Sequence, residues 1–140
     1  MIIDGFTEVY GWTFYKVKVK GSMTNFNVQR TCDENNLKTP CYAGTYDTFN
    51  SDQCDVVFNK EVTEDADTMQ FLSINLCNHR EPEKCEVLKD LFIYKENWAG
   101  DSACGATEAN GYCAYGEAHN NLWALCAASK RKLMFKRGCY

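Results

Sequence analysis

The sequence predicts an α+β domain with a small antiparallel sheet, one or two helices and long loops fastened by disulfide bonds. Three observations predict this class: nine cysteines in 140 residues, one alternating strand-like segment, and one capped helical segment. The hydrophobic fraction of 45% and the charged fraction of 24% are ordinary for a folded globular protein. Only the cysteine content departs from average composition.

The cysteines follow one another at intervals of 9, 13, 23, 8, 19, 9, 13 and 13 residues. None of these intervals is the close spacing of a zinc site, so we expect no metal and no other cofactor. In an oxidising compartment such cysteines form cross-links that each stabilise a fold by about 2–4 kcal/mol. The sequence therefore predicts a secreted or extracellular protein. Eight cysteines are expected to pair: Cys32, Cys41, Cys54, Cys77, Cys85, Cys104, Cys113 and Cys126.

Spacing alone does not determine the connectivity, because eight cysteines allow many arrangements. Two local pairs are nevertheless expected, Cys77 with Cys85 and Cys104 with Cys113. Cys139 is then left over near the C-terminus. It is either an unused thiol or the site of an intermolecular bridge that would give a disulfide-linked dimer.

The first half of the chain contains the two clearest elements. Residues 10–20 alternate aromatic and β-branched residues with lysine, which indicates a strand. Ser22 or Thr24 can cap a helix that runs to about residue 36, with Phe26 and Cys32 facing inward. After this helix the chain becomes rich in turn residues.

Later elements are less regular. Residues 56–58 are a candidate short strand, and residues 68–76 fit either a buried helix or a strand. The second half of 87–94 and residues 122–126 are predicted strands, and residues 133–135 could form an edge strand. Between them, residues 96–116 are expected to be a long loop.

Charge and hydropathy exclude several partners. The net charge of −4 gives no general reason to bind nucleic acid, since phosphate binding needs clustered lysine and arginine. The basic residues that do cluster lie within 130–137, so we divide the chain into one domain over 1–128 and a basic tail over 129–140. No apolar run is long enough for a transmembrane segment.

An enzyme is not expected. The chain has two histidines, His79 and His119, and neither lies in a recognisable catalytic motif. No phosphate-binding glycine loop and no acidic metal-binding repeat occurs.

The best candidate site is the aromatic segment 98–115. Its expected ligand-binding residues are Trp98, Asp101, Tyr112 and Tyr115. Aromatic rings can pack on sugar faces or anchor a protein interface, and a neighbouring carboxylate supplies directional hydrogen bonds. The alternative is that the tryptophan fills the core beneath a cysteine-rich loop.

Five short motifs occur between residues 10 and 128: YGWTFY at 10–15, GSMT at 21–24, TPCY at 39–42, GDSACG at 100–105 and ALCA at 124–127. Together they resemble a cysteine-rich extracellular module of secreted and receptor-like proteins of marine invertebrates. The resemblance implies an extracellular module and no particular site.

A strand, a helix carrying Cys32 and a closing strand ending in Cys126 are also similar to C-type lectin-like domains. The calcium-binding strings of the sugar-binding members do not occur, since residues 81–83 read Glu-Pro-Glu and residues 98–101 read Trp-Ala-Gly-Asp. The resemblance implies a lectin-like fold without calcium-dependent sugar binding.

These observations predict an extracellular recognition module that binds a protein or a glycan. The alternative is a secreted effector, such as a toxin, a defence factor or a protease inhibitor, for which a rigid disulfide-bonded domain is also useful.

Overall fold

The elements of the fold come from a computed structural model, which describes residues 2–43, 54–58, 63 and 65–129. The strands are β1 (Ile2–Val9), β2 (Trp12–Lys18), β3 (Leu91–Ile93), β4 (Cys104–Thr107), β5 (Gly111–Tyr115) and β6 (Trp123–Ser129). The α-helices of these residues are α1 (Asn25–Glu34) and α2 (Thr68–Cys77), and short 3₁₀ turns follow at Pro82–Lys84, Glu86–Leu88 and Gly116–Ala118. The predicted α+β class is confirmed.

All six strands belong to one sheet, in the order β1-β2-β6-β3-β4-β5. Neighbours are antiparallel except β3 and β6, which run parallel, so the sheet is mixed rather than purely antiparallel as predicted. The last strand in sequence, β6, lies between β2 of the N-terminal hairpin and β3. Because β6 has neighbours on both sides, its residues Ala124 to Ala127 are all fully buried.

The sheet separates two apolar cores, and the two-residue period of its strands assigns side chains to them. Phe92, Ala124 and Cys126 belong to the core on the side of α1. Their neighbours Ile93 and Leu125 belong to the core on the side of α2.

Helix α1 begins where the sequence predicts. The Thr24 hydroxyl accepts a hydrogen bond of 3.1 Å from the Asn27 amide, the usual geometry of an N-terminal cap. Val28 and Cys32, four residues apart, face the sheet and are fully buried. The prediction that Phe26 faces inward is wrong, because it lies off that stripe and its side chain is 65% exposed.

Residues 68–76, for which the sequence allows either a helix or a strand, form α2. A capping box decides the outcome. The Asp67 carboxylate accepts from the Gln70 amide at 2.9 Å, and the Gln70 side chain accepts from the Asp67 amide at 3.2 Å. The sequence Asp-x-x-Gln is a signal of helix initiation that apolar periodicity does not detect.

The prediction of a long loop over 96–116 is wrong for the second half of this segment, where β4 and β5 form a hairpin. The residues of β4 are Cys-Gly-Ala-Thr, which have weak strand propensity, but all four are buried, so packing decides the conformation. A β-carbon at Gly105 would collide with the Phe92 ring, so the close approach of β4 to β3 requires glycine here. Residues 56–58 contribute one isolated bridge, between Pro40 and Val56, rather than a strand.

All eight cysteines expected to pair do so. The disulfides are Cys32–Cys126, Cys41–Cys54, Cys77–Cys85 and Cys104–Cys113, and the last two are the predicted local pairs. Cys139, the strand predicted at 133–135 and the basic tail from residue 130 lie outside the described residues. Within the part of the chain that is described, no helix has the length and apolarity to span a bilayer.

Disulfide removal should destabilise the domain according to the length of chain that each bond closes. The Cys32–Cys126 bond spans 94 residues, so its loss should cost about 4–5 kcal/mol in free energy of unfolding. Loss of Cys77–Cys85, which spans 8 residues, should cost about 2–3 kcal/mol. Urea unfolding of the two double Cys→Ser variants, both with Cys139→Ser to prevent exchange, measures this difference. Equal costs, or a larger cost for the short loop, would contradict it.

Candidate functional site

Trp98 and Tyr115 stack on each other, with ring centroids 4.9 Å apart and ring planes at 23°. Trp98 lies in the connection between β3 and β4, and Tyr115 ends β5. Trp98 is partly buried against the core, whereas the Tyr115 side chain is 59% exposed. We call this pair the aromatic platform. The structure thus brings together two of the four residues predicted from the sequence.

The backbone beneath the platform is fixed by Ser102, which is fully buried. The Trp98 indole N–H donates to the Ser102 carbonyl at 2.6 Å. The Ser102 hydroxyl accepts from the Glu117 amide at 3.0 Å, which ties the Trp98 loop to the turn that follows Tyr115. The indole orientation is therefore set before any ligand arrives.

Asp101 is exposed but faces the start of α1. Its carboxylate accepts from the Phe26 amide at 3.3 Å, and its carbonyl accepts from the Asn25 amide at 2.7 Å. Amide N–H groups at a helix start carry partial positive charge, so a carboxylate is stabilised there. Asp101 therefore attaches the loop to α1.

Lys95 lies between two aromatic rings. Its ammonium nitrogen is 4.1 Å from the Tyr42 ring centroid and 4.3 Å from the Trp98 ring centroid, within cation–π range. The Lys95 backbone is paired with the buried Asn25 side chain, which donates to its carbonyl at 2.7 Å and accepts from its amide at 2.8 Å. The Lys95 backbone is thus fixed, and its ammonium group lies over Trp98, the partly buried ring of the platform.

Tyr112 lies behind the platform rather than on it. Its hydroxyl donates to the Asp67 carboxylate at 2.7 Å, and the Tyr42 hydroxyl interacts with the same carboxylate. Asp67 is 8% exposed and also caps α2. The Tyr112 hydroxyl is therefore used within the protein, and Tyr112 is half-buried.

Burial controls the ionisation of this cluster. Burial raises the pKa of Asp67, while the Gln70 amide, the two tyrosine hydroxyls and the Lys95 charge oppose the shift. Burial, followed by the nearby Asp67 charge, raises the pKa of Tyr42 to about 12. Burial lowers the pKa of Lys95, and Asp67 opposes that change. A buried carboxylate and a half-buried ammonium thus partly neutralise each other behind the platform.

Both histidines take part in local hydrogen bonds. His119 lies beside the platform, with Nδ1 2.9 Å from the Tyr115 carbonyl and Nε2 3.1 Å from the Asn110 side-chain oxygen. The His79 ring accepts from the Glu81 amide at 3.3 Å. Over residues 2–43, 54–58, 63 and 65–129, no group of three or more His, Cys, Asp or Glu side chains is close enough to hold a metal ion.

Comparison with known proteins finds no family model, no curated protein and no solved structure that matches this chain. The geometry of the described residues therefore carries the functional argument.

Sequence reasoning missed the supporting residues Tyr42, Asp67 and Lys95. The Asp67-x-x-Gln70 capping box could have placed Asp67 at a helix start. No local signal could have joined it to Tyr112, which is 45 residues away in sequence.

The raised pKa of Asp67 predicts how stability depends on pH. The folded chain keeps the carboxyl proton of Asp67 at pH values where the unfolded chain has lost it. The stability contributed by Asp67 should therefore increase as the pH falls through the pKa of the folded state towards 3.8, the ordinary value of an aspartate. Asp67→Asn retains the cap but cannot titrate, so the free energy of unfolding of wild type relative to this variant should increase between pH 7 and pH about 4. Urea unfolding at both pH values measures the change. A relative loss of wild-type stability on acidification would show that Asp67 has a lowered pKa.

Proposed function

We propose that this domain is an extracellular recognition module that binds a protein or a glycan through the aromatic platform. The observation that carries the proposal is the Trp98–Tyr115 stack, which has one largely exposed ring. The apolar face of a sugar or an apolar side chain of a protein could pack on that ring.

The platform residues are already ordered in the free domain, and this preorganisation supports the proposed function. Ordering mobile side chains costs affinity, typically about 0.5–1.5 kcal/mol for each rotamer-rich side chain. Here Trp98 is held by its hydrogen bond to Ser102 and by the Lys95 cation. The adjacent Cys104–Cys113 disulfide joins β4 to β5, the strand that ends in Tyr115. Much of the ordering cost is therefore met on folding.

The polar surroundings suit directional recognition. Asp101 and Glu117, which lie close in sequence to Trp98 and Tyr115, are exposed, and their carboxylates can accept hydrogen bonds from hydroxyl or amide groups. An aromatic surface next to such acceptors is a common composition of glycan sites and of protein interfaces.

The disulfides support the extracellular part of the proposal, because four bonds in a domain of this size are typical of oxidising compartments. The elements behind the C-type lectin-like resemblance are β2, α1 and β6, and Cys32 of α1 is bonded to Cys126 of β6. This linkage supports the lectin-like interpretation of the fold.

Tyr115→Ala should weaken ligand binding while leaving the fold intact, because most of this residue is outside the core. Glycan arrays and extracellular-protein arrays would identify the ligand of the wild-type domain. The variant should then lose at least about tenfold in affinity, as expected for an interface anchor. Tyr10→Ala is the matched control, since Tyr10 is a 66% exposed tyrosine at the β1–β2 turn.

Unchanged affinity in Tyr115→Ala and Trp98→Ala, with native circular dichroism, would exclude the platform as the binding site. Protease inhibition or cell toxicity that persists in both variants would favour the secreted effector instead.

A further inference from the structure

A path of side-chain contacts joins the cap of α2 to the exposed ring of the aromatic platform. The Tyr42 hydroxyl donates to the Asp67 carboxylate, and the Tyr42 ring centroid is 4.1 Å from the Lys95 ammonium nitrogen. The same nitrogen is 4.3 Å from the Trp98 ring centroid, and Trp98 stacks on Tyr115. A buried carboxylate is thus connected by consecutive contacts to the surface that we propose for binding.

The charges of Asp67 and Lys95 stabilise each other. Burial lowers the pKa of Lys95, and the Asp67 charge opposes that change. The ion pairs found among the described residues are those of Lys84 and Lys89, so Asp67 acts on Lys95 without a direct ion pair. A change in the charge of Asp67 therefore changes the electrostatic free energy of the ammonium group where it lies against Trp98.

Protonation of Asp67 would remove its charge and keep the cap of α2. Its Oδ1 atom accepts both from the Gln70 amide at 2.9 Å and from the Tyr112 hydroxyl at 2.7 Å. A neutral carboxyl group can carry its proton on the other oxygen and still accept these two bonds. The protonation step therefore affects the Lys95 cation more than it affects the start of the helix.

The other titratable groups around Asp67 do not change charge on acidification. Burial raises the pKa of Tyr42 to about 12 and raises that of Tyr112 well above its ordinary value, so both hydroxyls stay neutral. Acid also favours the cationic form of Lys95. Glu83, in the turn that follows α2, acts on Tyr112 and is the nearby carboxylate that a test must control for. Asp67 is therefore the group of this cluster that can respond to acid next to Lys95.

Trp98 depends on Lys95 for one of its contacts. Its indole N–H donates to the Ser102 carbonyl at 2.6 Å, and its ring contacts Tyr115 and the Lys95 ammonium group. A half-buried ammonium group that has lost its counter-charge is stabilised by moving towards water. Such a movement removes the cation–π contact with the indole and leaves the platform less ordered.

We propose that Asp67 is a pH-sensitive positioning residue of the aromatic platform, whose charged form keeps the Lys95 ammonium group against Trp98 and whose neutral form releases it and weakens binding. The effect on binding rests on the function proposed above, whereas the effect on Trp98 needs no ligand. A ligand that is bound at neutral pH is then bound less tightly in an acidic compartment.

The test follows the indole N–H signal of Trp98 in the full-length, ligand-free chain by NMR between pH about 7.5 and pH about 4. Trp98→Phe assigns the signal among the three tryptophans. In wild type the signal should move through one transition as Asp67 gains its proton. In Asp67→Asn, which retains the cap without the charge, the signal should stay near the position that wild type reaches in acid.

Three further variants separate the route through Lys95 from other titrations. Lys95→Met keeps an unbranched side chain without the cation, so it should abolish the transition. The matched control Glu83→Gln removes the carboxylate near Tyr112 and should leave the transition in place. His119→Gln should also leave it in place, although His119 contacts the Tyr115 carbonyl.

A transition that persists in Asp67→Asn or in Lys95→Met would overturn the proposal, as would a wild-type signal that does not move. If Asp67→Asn does not fold, wild type, Lys95→Met and Glu83→Gln make the same comparison.

The binding arm uses a glycan or protein that the arrays identify. Its affinity for wild type should fall at least about threefold over the same pH range, and its affinity for Asp67→Asn should stay constant. A Trp98 transition without this fall would overturn the control of binding by Asp67. Binding that is insensitive to Tyr115→Ala would instead contradict the proposed function and leave the Trp98 transition as the test of the Asp67–Lys95 link.

Discussion

The Cys32–Cys126 disulfide is the constraint on which the rest of the structure depends. It bonds α1 to β6, the strand that joins the N-terminal hairpin to β3. The start of α1 in turn holds Asp101, and the buried Asn25 holds the Lys95 backbone. Both contacts fix the connection that carries the platform. The position of an exposed binding surface thus follows from a bond in the interior.

Much of the fold could be predicted because its signals are local. The lysine alternation of β2, the Thr24 cap and the apolar run of β6 each lie within a few residues. The hairpin of β4 and β5 could not be predicted, because Gly105 and its neighbours form a strand only when buried beside β3. The parallel pairing of β3 with β6 also depends on the whole topology rather than on either segment.

The residues of the candidate site also include some that could be predicted from local sequence and some that could not. Trp98 and Tyr115 stand out in the sequence as aromatic residues near cysteines, and the structure stacks them. Tyr112 has the same local character, but its hydroxyl faces the Asp67 carboxylate across 45 residues of sequence. Composition can indicate which segment bears aromatic groups, whereas only tertiary packing decides which ring meets solvent. The structure therefore divides these aromatic residues between an outer contact surface and an inner hydrogen-bonded support.

Mass-spectrometric mapping of the native protein under non-reducing conditions, with a count of free thiols, would test the disulfide connectivity on which the fold depends. We expect the bonds Cys32–Cys126, Cys41–Cys54, Cys77–Cys85 and Cys104–Cys113, with Cys139 alone left free or joined to a second chain. If Cys32 were bonded to any residue other than Cys126, the covalent link between α1 and β6 would not exist. Eight or nine reactive thiols in the native protein would contradict the whole disulfide-based interpretation.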